Sequence, residues 1–137
     1  MKPLIARTLL VALAPLLLAA GDAPTVAGTW IGTSTCVDRV RAPACNDERI
    51  RFIFREIAPG GRSFHLDAQK LVDGTYGTMF EIDVVRDASG GWVHDFQTPR
   101  GQKARWIFRV SDGALEGGLL EQPSNAPIRE VKARRDG

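Results

Sequence analysis

Arg105-Trp106-Ile107-Phe108-Arg109-Val110-Ser111-Asp112-Gly113 is the stretch whose reading decides the fold. Trp106, Phe108 and Val110 alternate with Arg105 and Arg109, the period-two pattern of a strand with one face in a core and the other in water. The run stops at Asp112-Gly113, a dipeptide that accepts the positive φ angles of a two-residue hairpin turn. The same alternation recurs upstream. Ile50, Phe52 and Phe54 are set against Arg51 and Arg55, and Phe64, Leu66 and Ala68 against His65, Asp67 and Gln69. Phe80, Ile82 and Val84 oppose Glu81 and Asp83, and Trp92, His94 and Phe96 share a face.

Turn-forming clusters separate these runs: Ala58-Pro59-Gly60-Gly61, Asp73-Gly74, Asp87-Ala88-Ser89-Gly90-Gly91, Thr98-Pro99-Arg100-Gly101, Ser111-Asp112-Gly113 and Pro123-Ser124-Asn125-Ala126-Pro127. With the segment between Cys36 and Cys45 they make seven connections, hence about eight strands, and no stretch after Val26 shows a helical period. Connections this short join antiparallel neighbours. A meander with one apolar face hides its edges by closing on itself. The expectation is an all-β fold, a small antiparallel up-and-down barrel, with a two-sheet sandwich as the second architecture.

The first twenty residues read differently. Lys2 and Arg7 precede an apolar run from Thr8 to Ala20 that is interrupted by Pro15 and ends in the small residues Ala19, Ala20 and Gly21. That is the layout of a secretory signal peptide, with cleavage expected after Ala20. The run is too short and too broken for a membrane anchor, which needs about 20 apolar residues. The expected organisation is a signal peptide over 1–20 and a single barrel domain over 21–137, placed in the bacterial periplasm or secreted.

Removing Lys2 and Arg7 from the 18 basic residues leaves 16, against 16 acidic ones, so the mature chain is formally neutral. The basic character of the whole chain then carries no argument for nucleic acid as a partner. Arg129, Lys132, Arg134 and Arg135 are expected in a solvated last strand that frays after Arg134. Cys36 and Cys45 are the only cysteines. They are too far apart for a Cys-x-x-Cys redox pair and too few for a metal site, which leaves a structural disulfide suited to an oxidising compartment.

Gly28-Thr29-Trp30-Ile31-Gly32 carries a family resemblance. A Gly-x-Trp opening the first strand resembles the lipocalin and fatty-acid-binding (calycin) barrels, and this resemblance implies that Trp30 plugs one end of a barrel. The longer Gly-Thr-Trp-x-Gly is similar to the opening of nitrobindin-type haem barrels. The rest of the chain looks like a group of exported bacterial proteins near the calycins. No histidine follows His94, where the nitrobindin-type barrels carry their haem ligand, so no cofactor is expected.

Catalytic constellations are scarce. His94 and Asp95 are adjacent in a strand and point to opposite faces, while Glu81 and Asp83 share the outer face. No zinc spacing, phosphate loop or nucleophile elbow is present, so no catalytic residue, metal or enzymatic activity is expected. The function expected is binding of a compact apolar or flat ligand in the interior. Its walls would be Trp30, Trp92, Phe96, Trp106 and Phe108, and His94 would be the polar handle, with Ser34 or the ligand as its partner. The alternative is a solid barrel acting through its surface on an envelope or extracellular protein, as the similarly sized periplasmic lysozyme-inhibitor barrels do, with Tyr76 as an anchor, or a structural envelope protein. A monomer without membrane anchor or nucleic-acid partner is expected in each case.

Overall fold

The computed structural model describes residues 24–137; the expected signal peptide over 1–20 lies outside them. Eight strands follow one another in sequence: β1 (Gly28–Cys36), β2 (Glu48–Glu56), β3 (Ser63–Val72), β4 (Thr75–Arg86), β5 (Trp92–Gln97), β6 (Lys103–Ser111), β7 (Ala114–Glu121) and β8 (Pro127–Arg135). Each pairs antiparallel with the next, and β8 pairs with β1 to close the barrel. The sandwich alternative is thereby excluded. Asp73-Gly74 and Asp112-Gly113 turn their hairpins with positive φ at both residues, as a two-residue turn requires.

The alternating apolar residues face inward. Trp30, Phe52, Phe54, Phe64, Trp92, Trp106 and Phe108 are buried together with Ile50, Leu66, Val84, Leu115 and Val131. Their rings pack edge to face, Phe54 on Phe108 at 5.3 Å and Phe64 on Trp92 at 6.1 Å. Such pairs add about 0.5–1.5 kcal/mol each beyond the burial of their area. The Trp92 indole N–H is buried without a hydrogen-bond partner among the described residues.

The two ends of the barrel are closed in different ways. At the end where β1 begins, Val26 tucks under the barrel and its carbonyl accepts the Trp30 indole N–H at 2.8 Å. The Arg135 guanidinium lies 4.3 Å from the centre of the Trp30 ring and donates to the Thr25 and Ala27 carbonyls at 2.7 and 2.6 Å. At the other end the Cys36–Cys45 disulfide closes the β1–β2 loop. A cross-link over so short a loop contributes about 2.5–3 kcal/mol by restricting the unfolded chain. Beside it Arg129, whose side chain is 15% exposed, donates to the Ser34 hydroxyl at 2.8 Å and to the Asn46 carbonyl at 2.6 Å.

These two arginines correct the expectation of a solvated, fraying last strand. Arg129, Val131, Ala133 and Arg135 share the inward parity of β8, so the cations stand at the two ends of one inner row and bond to opposite rims of the barrel. Lys132 and Arg134 take the outer parity and are exposed, as expected.

Candidate functional site

Seven of the eight seams are extended ladders, and the seam between β4 and β5 is not. It consists of Val85 opposite Val93 and Arg86 opposite Trp92, after which the two strands part. β4 stays paired with β3 along its length and β5 with β6, so each half of the sheet continues intact. A bulge in β4 beside the Ala68/Gln69 step, of the kind that sharpens local twist, lies within the stretch that has left β5.

The divergence uncovers a slot of about 370 Å³, lined by Phe80 and Ile82 of β4, His94 and Phe96 of β5, Trp106 of β6 and Leu119 of β7. Phe80, Ile82, His94 and Phe96 are only half-buried, unlike the residues at the Trp30 end. The walls are flat. Phe80 stacks on Trp106 with ring centres 5.3 Å apart and planes 24° apart, and His94 stacks on Phe96 at 6.0 Å and 27°. Trp106 in turn stacks on Phe108 at 5.9 Å, which joins the slot to the packed core behind it.

His94 sits where the ladder stops. Its Nδ1 lies 2.8 Å from the backbone oxygen of Asp83, two positions along β4 from the last β4–β5 pair. The side chain thus satisfies a carbonyl that the diverging strand has abandoned. This corrects the expected pairing with Ser34, whose hydroxyl is held by Arg129 near the disulfide.

Asp83 also binds the chain's other histidine. On the outer face His65 Nδ1 is 2.8 Å from Asp83 Oδ1, and His65 Nε2 is 3.0 Å from Glu81 Oε1. Carboxylates only accept, so both bonds form fully only with the imidazolium. The hydrogen bond to Glu81, and then that to Asp83, hold the His65 pKa above its ordinary 6.5. A raised folded-state pKa stabilises the fold fully below pH 6.5, and that contribution fades as pH rises through the folded value. Titration of the His65 ring by NMR is expected to give a midpoint above that of an unfolded peptide and to move down in Glu81→Gln. An unchanged midpoint in that variant would show that the bond to Glu81 is absent in solution.

Of the six side chains expected at a ligand site, His94, Phe96 and Trp106 line the slot. Trp30, Trp92 and Phe108 lie in the packed core. Phe80, Ile82 and Leu119 complete the lining. Phe80 and Ile82 carried a signal in their alternation, whereas Leu119 sits in Gly117-Gly118-Leu119-Leu120, which has none.

Neither a family model nor a curated protein matches this chain. The geometry of the slot therefore carries the functional argument. One imidazole amid apolar walls does not make a metal centre, which needs several converging ligands. A concave, mostly apolar site with a single orienting polar group is the make-up of a small-molecule pocket, and such pockets start at about 300 Å³.

Proposed function

We propose that this chain is an exported binding protein that holds a compact apolar or flat ligand in the slot between β4 and β5. The observation that carries this reading is the early end of the β4–β5 ladder. It opens an aromatic-lined cavity in a barrel whose remaining seams are paired. Export rests on the expected signal peptide. The Cys36–Cys45 bond agrees with an oxidising destination, the periplasm or the exterior of a bacterium. A barrel with Trp30 packed at one end is also what the calycin resemblance implies, and that resemblance favours a carrier.

At about 30 Å³ per water-sized unit, 370 Å³ has room for about a dozen non-hydrogen atoms. Palmitate exceeds that by roughly half. Tryptophan emission, reporting through Trp106 in the slot wall, is expected to be unaffected by long-chain fatty acids. Compact flat molecules should quench it saturably, with affinity reduced in His94→Ala. Saturable palmitate binding that is undiminished in that variant would overturn both the size of the site and the role of His94.

A further inference from the structure

The hydrogen bond that fixes His94 also fixes what the slot can recognise. The Asp83 backbone oxygen can only accept, so the proton of the neutral ring resides on Nδ1 and Nε2 carries a lone pair. Among the described residues no donor reaches Nε2. The other lining side chains offer no acceptor: Phe80, Ile82, Phe96 and Leu119 are hydrocarbon, and the Trp106 indole only donates. Among the described residues His94 Nε2 is therefore the single side-chain acceptor in the slot.

Charge narrows the choice further. Among the described residues no lysine or arginine lines the slot. The charged residues that alternate with its lining are Glu81 and Asp83 on β4, Asp95 on β5 and Arg105 on β6. Three of the four are acidic, and the one cation, Arg105, already pairs with Asp95 through bonds of 2.6 and 3.0 Å. A carboxylate entering the slot would lose water and meet no cation. A neutral O–H or N–H would meet a lone pair. Four of the six lining residues are aromatic and belong to the stacked pairs Phe80–Trp106 and His94–Phe96, a lining that favours an aromatic guest over a branched aliphatic one.

We infer that the slot takes a neutral, flat molecule of one or two aromatic rings bearing a hydroxyl or ring N–H, which donates its hydrogen to His94 Nε2. This inference rests on the reading of the slot as the binding site.

Three probes of one shape separate the two. 2-Naphthol carries the donor, 2-methoxynaphthalene lacks it, and 2-naphthoate replaces it with an anion. Each is titrated into the full, disulfide-bonded protein by calorimetry, with the indole N–H of Trp106 and the ring of His94 followed by NMR. The naphthol is expected to bind about tenfold more tightly than the ether, because without the donor the acceptor is covered and unpaired. The naphthoate is expected to be the weakest. In His94→Phe, which keeps a flat ring and removes the acceptor, the preference for the naphthol over the ether should vanish, because the naphthol loses its partner and the ether no longer covers an unpaired one. The series on the unaltered protein decides the matter even if that variant does not fold. Equal binding of naphthol and ether, or preference for the naphthoate, overturns the inference and leaves the slot as a binding site. Failure of all three to shift Trp106 or His94 overturns both.

Discussion

Trp30→Ala is expected to lower the unfolding free energy by about 3–5 kcal/mol, the range for emptying a buried aromatic site. Against the roughly 5–15 kcal/mol typical of a domain, a loss of that size leaves a large unfolded fraction on mild heating. Three consequences of the substitution act together. The side chain is fully buried, so its removal opens a void that the surrounding strands cannot fill. The Val26 carbonyl loses the indole N–H it accepts, and Arg135 loses the ring face over which its charge lies. Trp30→Phe keeps most of the volume and a ring beneath Arg135 and forfeits the hydrogen bond, so its cost should be nearer 1–2 kcal/mol. Urea unfolding of both variants measures the difference. A loss under about 1 kcal/mol in Trp30→Ala would mean that this tryptophan does not close the barrel.

Gly32→Ala is expected to be nearly as harmful, although it adds only a methyl group. An added Cβ would stand 2.0 Å from the Lys132 carbonyl oxygen and 2.6 and 2.8 Å from Cα and Cβ of Ala133. The nearest obstruction is backbone, so no side-chain rotation relieves it. β1 and β8 must separate at the seam that closes the barrel. Overpacking in a core costs about 1–3 kcal/mol and occasionally more, and a clash with a neighbouring strand's main chain belongs at or above the top of that range. For a domain of this size each kcal/mol lowers the melting temperature by roughly 4 °C, so a fall of about 10 °C or more is expected. Gly77→Ala is the internal control, because a Cβ there meets nothing within 4 Å. It should stay within about 0.5 kcal/mol of the parent. Equal melting temperatures for the two variants would refute the close approach of β8 to Gly32.

The barrel was legible because β2 to β6 announce their inner faces by alternation and every connection contains turn-forming residues. Asp73-Gly74 and Asp112-Gly113 adopt the conformations that their composition favours. Parity, however, gives the face of a residue and not its height along the barrel. Trp92, His94 and Phe96 share one face, yet Trp92 is packed into the core while the other two border the slot. Nor does parity reveal whether adjacent strands remain paired, which is why the slot and the His94 bond to the Asp83 carbonyl were unforeseen. For Arg129 and Arg135 the information was present and outweighed. Their spacing with Val131 and Ala133 marks the inner row, but charge argues for solvent until one sees the backbone carbonyls at each rim that receive them.

The seam between β1 and β8 has a consequence for the order in which the barrel assembles. Seven of its ladders are hairpins between strands consecutive in sequence, whose ends meet after short searches. The eighth joins segments at the two ends of the described chain, as the bond between Arg135 and Thr25, 110 residues apart, makes plain. Closing a loop of that length has the largest entropic cost of any step, and contacts between distant segments repay it only once they form. The hairpins can thus form as a curled sheet before its edges join, and the fit of Ala133 against Gly32 and the seating of Arg135 on Trp30 belong to the final step. Interactions that form after the rate-limiting barrier govern how fast a protein unfolds more than how fast it folds. The glycine and the arginine at this seam are therefore expected to act as a latch, changes there altering how fast the closed barrel opens more than how fast it forms.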